Sequence, residues 1–153
     1  METLKQTSPP PLPKIDKIGA IIFLLLGIIG FLDASYLTIE HYRGIIPVCT
    51  VVTGCGTVLI SKYSTVGPVP LALLGVAYYS VIIFGALLFL DLKIIKILHL
   101  LSAYTFIGIL ASLYFLYLQI FVIQALCLYC LFSAATSTLL FINGVYIYKK
   151  TAL

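Results

Sequence analysis

Two pairs of cysteines are the residues of this chain that could do chemistry. Cys49 and Cys55 lie in a polar, turn-rich stretch, and Cys127 and Cys130 form a Cys-Leu-Tyr-Cys motif where a long apolar run begins. The chain has no other cysteine, although 62% of its residues are hydrophobic. Thiols that served only as core filler would be scattered along the apolar runs, whereas these lie at the edges of the runs. Paired thiols at a membrane surface predict an electron relay, in which one pair takes electrons from a partner and the other passes them on.

The spacing of each pair suits a different role. Cys127 and Cys130 are three residues apart and share one face of a helix, and the positive end of a helix dipole favours a thiolate there. Gly54 and Gly56 flank Cys55 and predict a mobile loop that turns tightly. On the residues alone, two alternatives stay open. One is a pair of static disulfides that brace the outer loops, and the other is a zinc site of four thiolates.

The composition indicates which elements position these thiols. A mean hydropathy of +1.19 with only 9% charged residues excludes a soluble domain. A transmembrane helix needs roughly 20 mainly apolar residues, and four runs qualify, at residues 18–39, 69–90, 94–122 and 128–148. The runs lack the polar alternation of barrel strands. The sequence therefore predicts an all-α integral membrane protein, a bundle of four transmembrane helices.

Little of the chain lies outside these four runs. Residues 1–13 carry a Ser-Pro-Pro-Pro-Leu-Pro run and are predicted to form a disordered cytoplasmic tail, so that residues 14–150 form one four-helix membrane redox domain. Residues 41–68 are expected to be the one long outer loop, between the first and second helices. A tight turn is predicted at residues 91–93 and a short link at residues 121–126.

The placement of lysine and arginine predicts the orientation of the bundle. Seven of the nine basic residues share one face, namely Lys5, Lys14, Lys17, Lys93, Lys96, Lys149 and Lys150. Arg43 and Lys62 lie opposite, so both termini are expected in the cytoplasm. All four cysteines are then on the periplasmic or extracellular side of the cell membrane, where disulfides persist and where no metal is expected. Anchoring to anionic lipid explains the net charge of +4 without nucleic acid.

Further motifs follow one another in a set order along the chain. They are Asp33-Ala-Ser-Tyr36-Leu-Thr, His41, Cys49, Cys55, Ser61, Gly67-Pro68-Val-Pro70, Gly75, Tyr78 and Cys127-Leu-Tyr129-Cys130. This order resembles the vitamin K epoxide reductase family, in particular its short bacterial and archaeal members that make disulfide bonds. The resemblance covers almost the whole membrane core.

The resemblance implies a four-helix bundle that encloses a quinone near the outer membrane surface. By that resemblance Cys127 and Cys130 are the redox-active pair beside the quinone, with Cys130 facing the ring, and Cys49 and Cys55 are the shuttle pair. A thioredoxin-like protein on the outer side gives its electrons to the shuttle pair. Because the chain ends at Leu153, we expect this partner to be a separate protein.

The expected quinone contacts are Cys130, Ser61, Asp33 and Tyr129. Asp33 is the one acid well inside a predicted span, where charge is costly and usually functional. Ser61 and Tyr129 are included because they match the family motifs. Animal members carry a tyrosine where this chain has Ala134, and their loop spacing differs, so the resemblance favours ubiquinone or menaquinone over vitamin K epoxide.

Two other functions remain as alternatives. One is an unrelated four-helix disulfide-generating protein with both reactive pairs in extramembrane loops, which the position of the Cys-x-x-Cys motif in the last helix disfavours. The other is a non-enzymatic membrane assembly or channel protein with structural disulfides. Reactivity distinguishes the last one, because structural disulfides do not cycle when quinone is added.

The predicted orientation can be tested by thiol labelling. In a cysteine-free background, a single cysteine placed after Lys150 is expected to resist membrane-impermeant thiol reagents applied from outside, whereas Ser64→Cys is expected to react. Labelling in the reverse pattern would exclude the predicted orientation and, with it, the oxidising location of the cysteines.

Overall fold

The computed structural model of the chain describes residues 14–47 and 54–151. Its elements are listed here in chain order: α1 (Lys14–Arg43), α2 (Cys55–Leu59), β1 (Thr65–Val66), β2 (Val69–Pro70), α3 (Leu71–Leu92), α4 (Ile95–Tyr117), a π-helical segment (Leu118–Ile123) and α5 (Leu128–Thr151). Within these ranges, four helices are long and apolar enough to cross a membrane, with α4 and the π-helical segment forming one span. The prediction of an all-α, four-helix membrane bundle is confirmed. The predicted tail at residues 1–13 lies outside the described residues.

The connections between the spans are more ordered than the sequence predicts. The first helix continues to Arg43, so the beginning of the predicted loop at residues 41–68 is helical. The same stretch contains the short helix α2 and a hairpin in which Val66 pairs with Val69. Gly67 has a φ of +62°, which suits the first central position of a two-residue hairpin turn.

Two predicted connections are corrected by the structure. The turn at residues 91–93 is shorter than predicted, because α3 continues to Leu92 and ends where Lys93 adopts a left-handed conformation. The link at residues 121–126 begins later than predicted, because the π-helical segment continues to Ile123. Gln124 ends it with a φ of +55°, and the true link therefore covers residues 124–127.

Close packing of α1 against α3 depends on small residues. A Cβ atom at Gly30 would collide with the ring of Tyr79, which has only 1% of its surface exposed. The Tyr79 hydroxyl in turn lies 2.9 Å from Ser133 Oγ and 3.1 Å from Ser137 Oγ on α5. Small residues are typical of helix interfaces in membranes, where packing and hydrogen bonds replace the hydrophobic effect between helices. These contacts join α1, α3 and α5 around one core.

Connectivity brings the predicted site residues to one end of the bundle. α1 ends at this end and α3 begins there, and the π-helical segment ends close to where α5 begins. The helix α2 and the hairpin cover the same end. Because Cys55 begins α2 and Cys127 immediately precedes α5, both sequence motifs meet at this end of the bundle.

Candidate redox site

Cys127 is the residue just before the first turn of α5, and none of its surface is exposed. Its backbone N–H donates to Gln119 Oε1 at 2.9 Å, and its carbonyl oxygen accepts from the N–H of Leu131 at 3.0 Å. Both backbone polar groups of Cys127, its N–H and its carbonyl oxygen, are therefore hydrogen-bonded. Cys127 and Cys130 are both free thiols.

Gln119 is a site residue that sequence reasoning missed. It lies in the π-helical segment and is 4% exposed. Besides its bond to Cys127, it lines the cavity described below. Single π-helical turns are frequent at functional sites because they re-aim one side chain within a helix. The signal in the sequence was an amide inside the third apolar run, where a buried polar group needs a partner.

Cys55 lies directly beside the Cys-x-x-Cys motif. Its sulfur accepts a hydrogen bond from the backbone N–H of Leu128 at 3.4 Å, across 73 residues of sequence. Cys55, Val58 and Cys127 form a buried cluster against which Cys130 also packs. Cys55 is disulfide-bonded, and Cys49, predicted to complete the shuttle pair, lies outside the described residues. One member of each predicted pair is thus in the same apolar cluster.

Gly54 allows Cys55 to lie this close to the Cys-x-x-Cys motif. The reason is not the tight turn that the sequence predicts. Its φ of −95° is open to any residue, so no left-handed conformation is needed. A Cβ atom at Gly54 would instead lie 2.7 Å from the carbonyl oxygen of Leu126 and 2.8 Å from its nitrogen. Backbone atoms cannot give way as a flexible side chain can. Gly54 therefore lets the start of α2 contact the chain that leads into Cys127.

The first turn of α5 supplies hydrogen-bond donors to both sulfurs. Leu128 donates to Cys55, and the backbone N–H groups of Tyr129 and Cys130 point to the Cys127 sulfur. The hydrogen bond from the Cys130 thiol is the largest influence on Cys127, and together with those N–H groups it lowers the pKa of the Cys127 thiol from 9.0 to about 7, against the opposing effect of burial. A large share of thiolate is therefore present at neutral pH.

A cavity of about 440 Å³ lies behind the motif, enclosed by all four spans and the loop. Cys130 contributes to its wall and Cys127 does not, so only one of the two thiols lines the cavity. Most of the wall is aliphatic or aromatic, with few polar groups. This volume and lining are typical of sites for small apolar ligands.

Three of the four predicted quinone contacts lie in the cavity wall: Cys130, Ser61 and Asp33. The Ser61 hydroxyl donates to the carbonyl oxygen of Val58 at 2.7 Å, and Asp33 Oδ2 is buried without a hydrogen-bond partner. The fourth predicted contact, Tyr129, is not among the lining residues. Its ring instead packs against Tyr36, with centroids 5.4 Å apart.

His41 lines both this cavity and a second one on the loop side, of about 410 Å³. The second cavity also has Glu40 and Lys62 in its wall and is the more polar of the two. His41 therefore lies between the two cavities.

Comparison with protein families agrees with this geometry. The family model for the vitamin K epoxide reductase family matches residues 21–144, which is most of the chain. The chain belongs to the vitamin K epoxide reductase family. Membership implies a multi-pass membrane protein and, in general terms, a membrane thiol–disulfide:quinone oxidoreductase. No curated protein matches the chain by sequence.

The effect of Cys130 on Cys127 can be measured by titration. In protein with an oxidised shuttle pair and a reduced Cys-x-x-Cys motif, ultraviolet thiolate absorbance is expected to rise with a midpoint near pH 7. Cys130→Ala is expected to move that midpoint upward, because the principal hydrogen bond to the Cys127 thiolate is removed. Cys127→Ala should abolish the step. An unchanged midpoint in Cys130→Ala would show that the helix end alone sets the pKa of Cys127.

The close approach at Gly54 predicts a difference between two neighbouring alanine substitutions. Gly54→Ala places a methyl group against the Leu126 backbone and is expected to slow electron transfer between Cys55 and Cys127 by about tenfold or more, since overpacking costs about 1–3 kcal/mol. Gly56→Ala is the matched control, because its nearest neighbour is the flexible side chain of Ile46 at 3.2 Å. Rapid-mixing measurement of internal disulfide exchange checks both variants. Equal rates in the two would contradict the role given to Gly54.

Proposed function

We propose that this protein is a membrane thiol:quinone oxidoreductase that reoxidises a thioredoxin-like protein for disulfide bond formation. One observation carries the proposal. Cys55, already in a disulfide, lies against Cys127, and the other thiol of the Cys127 motif lines a cavity among the spans. These three sulfurs lead from the loop to the cavity, and the proposed relay passes electrons along them in that order.

The relay proceeds by thiol–disulfide exchange. A dithiol of the partner first reduces the disulfide of Cys49 and Cys55. The Cys55 thiolate then attacks the Cys127 sulfur of an oxidised Cys127–Cys130 pair, and Cys130 leaves as a thiolate. Attack by the Cys49 thiolate on Cys55 releases the Cys127 thiolate and restores the loop disulfide. Two electrons have then moved from the loop pair to the motif pair.

The first turn of α5 assists the exchange at both sulfurs that it contacts. The N–H of Leu128 lies at the Cys55 sulfur, and the Cys127 sulfur receives those of Tyr129 and Cys130. These donors therefore stabilise negative charge on Cys55 when it attacks in the first exchange, and on Cys127 when it leaves in the second. The backbone N–H groups of Tyr129 and Cys130 also favour Cys127 as the leaving thiolate when Cys49 resolves the mixed disulfide.

The cavity fits a quinone. It is mainly apolar, is large enough for a substituted ring, and is lined by Cys130 and by Asp33, whose Oδ2 atom has no hydrogen-bond partner. When bound there, ubiquinone or menaquinone would supply the two-electron acceptor for the motif pair. We assign Cys130, Ser61 and Asp33 as residues that hold the ring, and we leave out Tyr129 because its ring packs against Tyr36.

The charge distribution supports the proposed location and partner. Lysines at the ends of the bundle opposite the cysteines favour termini in the cytoplasm of a cell membrane. The cysteines then face the periplasmic or extracellular side, where a thioredoxin-like protein would deliver its electrons. In this arrangement the loop pair meets the partner and the motif pair meets the membrane quinone.

Single cysteine substitutions test the division of labour. Cys55→Ala and Cys49→Ala are each expected to abolish oxidation of a thioredoxin-like protein, because no loop disulfide can then form. Both variants should still reduce quinone when a small membrane-permeant dithiol reduces Cys127 and Cys130 directly. Quinone reduction is followed by its ultraviolet absorbance change.

Cys127→Ala and Cys130→Ala serve as the matched comparison, since each removes the motif disulfide and is expected to abolish both reactions. Normal oxidation of the protein partner by a variant that lacks both Cys49 and Cys55 would exclude the shuttle. Cysteines that stay in one redox state in the presence of reductant and quinone would instead identify them as structural.

A further inference from the structure

Two side-chain atoms in the described part of the chain are buried without a hydrogen-bond partner: the Tyr78 hydroxyl and Asp33 Oδ2. Both residues line the cavity to which Cys130 contributes. Buried hydroxyl groups nearly always have a partner, because they lose their hydrogen bonds to water. A buried hydroxyl without a partner, on a residue that lines a ligand cavity, therefore points to a ligand that supplies the missing acceptor. Sequence reasoning included Tyr78 in a family motif and gave it no role.

The surroundings of Tyr78 hold its ring in one place. The ring stacks on Tyr104 with centroids 5.3 Å apart and meets Tyr79 edge to face at 5.1 Å. Its hydroxyl lies against the backbone of Gly108 on α4, where any Cβ atom would collide with it. Gly108 thus provides the space that the hydroxyl occupies, and the two neighbouring tyrosines limit rotation of the ring.

Several other hydroxyl groups in the cavity wall already have partners. Ser61 donates to the carbonyl oxygen of Val58 at 2.7 Å, and Ser64 donates to that of Ser61 at 2.8 Å. The Tyr79 hydroxyl is bonded to Ser133. To donate to a bound molecule, these groups would first have to give up a bond within the protein. The Tyr78 hydroxyl has no such bond to lose.

We propose that the Tyr78 hydroxyl donates a hydrogen bond to a ring oxygen of the quinone and so fixes the orientation of the ring relative to Cys130. This inference rests on the proposed function. The oxygens of an oxidised quinone only accept hydrogen bonds, and a tyrosine hydroxyl is a donor that remains protonated at neutral pH.

The test compares Tyr78→Phe with Tyr104→Phe. The second variant loses a hydroxyl from the same aromatic stack, and its residue is not part of the cavity wall. Each purified protein, in lipid nanodiscs, is titrated with a short-chain ubiquinone that carries isotopic labels at its carbonyl carbons. Quinone affinity and the infrared carbonyl bands of the bound ring are measured. The rate of exchange between the loop pair and the motif pair is measured separately, without quinone.

A hydrogen bond weakens the carbonyl bond, so the wild-type protein is expected to show a carbonyl band at lower frequency than free quinone. In Tyr78→Phe this band should return toward the free position, with Kd raised about three- to tenfold. Tyr104→Phe should keep the wild-type band and affinity. Disulfide exchange should be unchanged in both variants, which would show that the fold of the relay is intact.

A Tyr78→Phe variant with the wild-type band and affinity would overturn the inference and leave the oxidoreductase function standing. The same effect from Tyr104→Phe would overturn it too, since the aromatic stack and not the hydroxyl would then be responsible. A wild-type protein that exchanges disulfides and binds no quinone would overturn both the inference and the proposed function.

Discussion

The contact between the start of α2 and the chain leading into α5 is the constraint on which the rest of the site depends. Gly54 approaches the Leu126 backbone closely enough to exclude a side chain, and this places the Cys55 sulfur within reach of the Leu128 N–H. The first N–H groups of a helix lack partners within the helix. At the start of α5, the N–H of Leu128 donates to the Cys55 sulfur, and those of Tyr129 and Cys130 point to the Cys127 sulfur. The donors that need partners at this helix end therefore also favour negative charge on the two sulfurs.

The four spans enclose a mainly apolar cavity on the side of the motif away from the contact at Gly54. Cys127 belongs to the buried cluster with Cys55, whereas Cys130 packs against that cluster and also lines the cavity. Gln119 links the two sides, since it bonds to the Cys127 backbone and is itself part of the cavity wall. In the proposed relay, a single turn of helix therefore separates the sulfur that exchanges with the loop from the sulfur beside the electron acceptor.

The fold was largely predictable because hydropathy and length define membrane helices almost without reference to their neighbours. All four spans were predicted, and their ends moved by only a few residues. The errors fell where hydropathy carries no signal. The π-helical end of the third span and the ordered hairpin at Gly67 depend on local backbone geometry, and the contact of Gly54 depends on a segment far away in sequence.

Residue types and spacing are enough to indicate the chemistry: four cysteines in two pairs, one pair at a helix start, in a chain with four apolar runs long enough to cross a membrane. Which atoms meet depends on the tertiary structure. It brought Cys55 to Cys127, gave Gln119 a bond to the motif, turned Tyr129 away from the cavity, and left the hydroxyl of Tyr78, a residue that lines the cavity, without a partner. These results depend on which faces of separate helices pack together, and residue type and local spacing do not encode that packing.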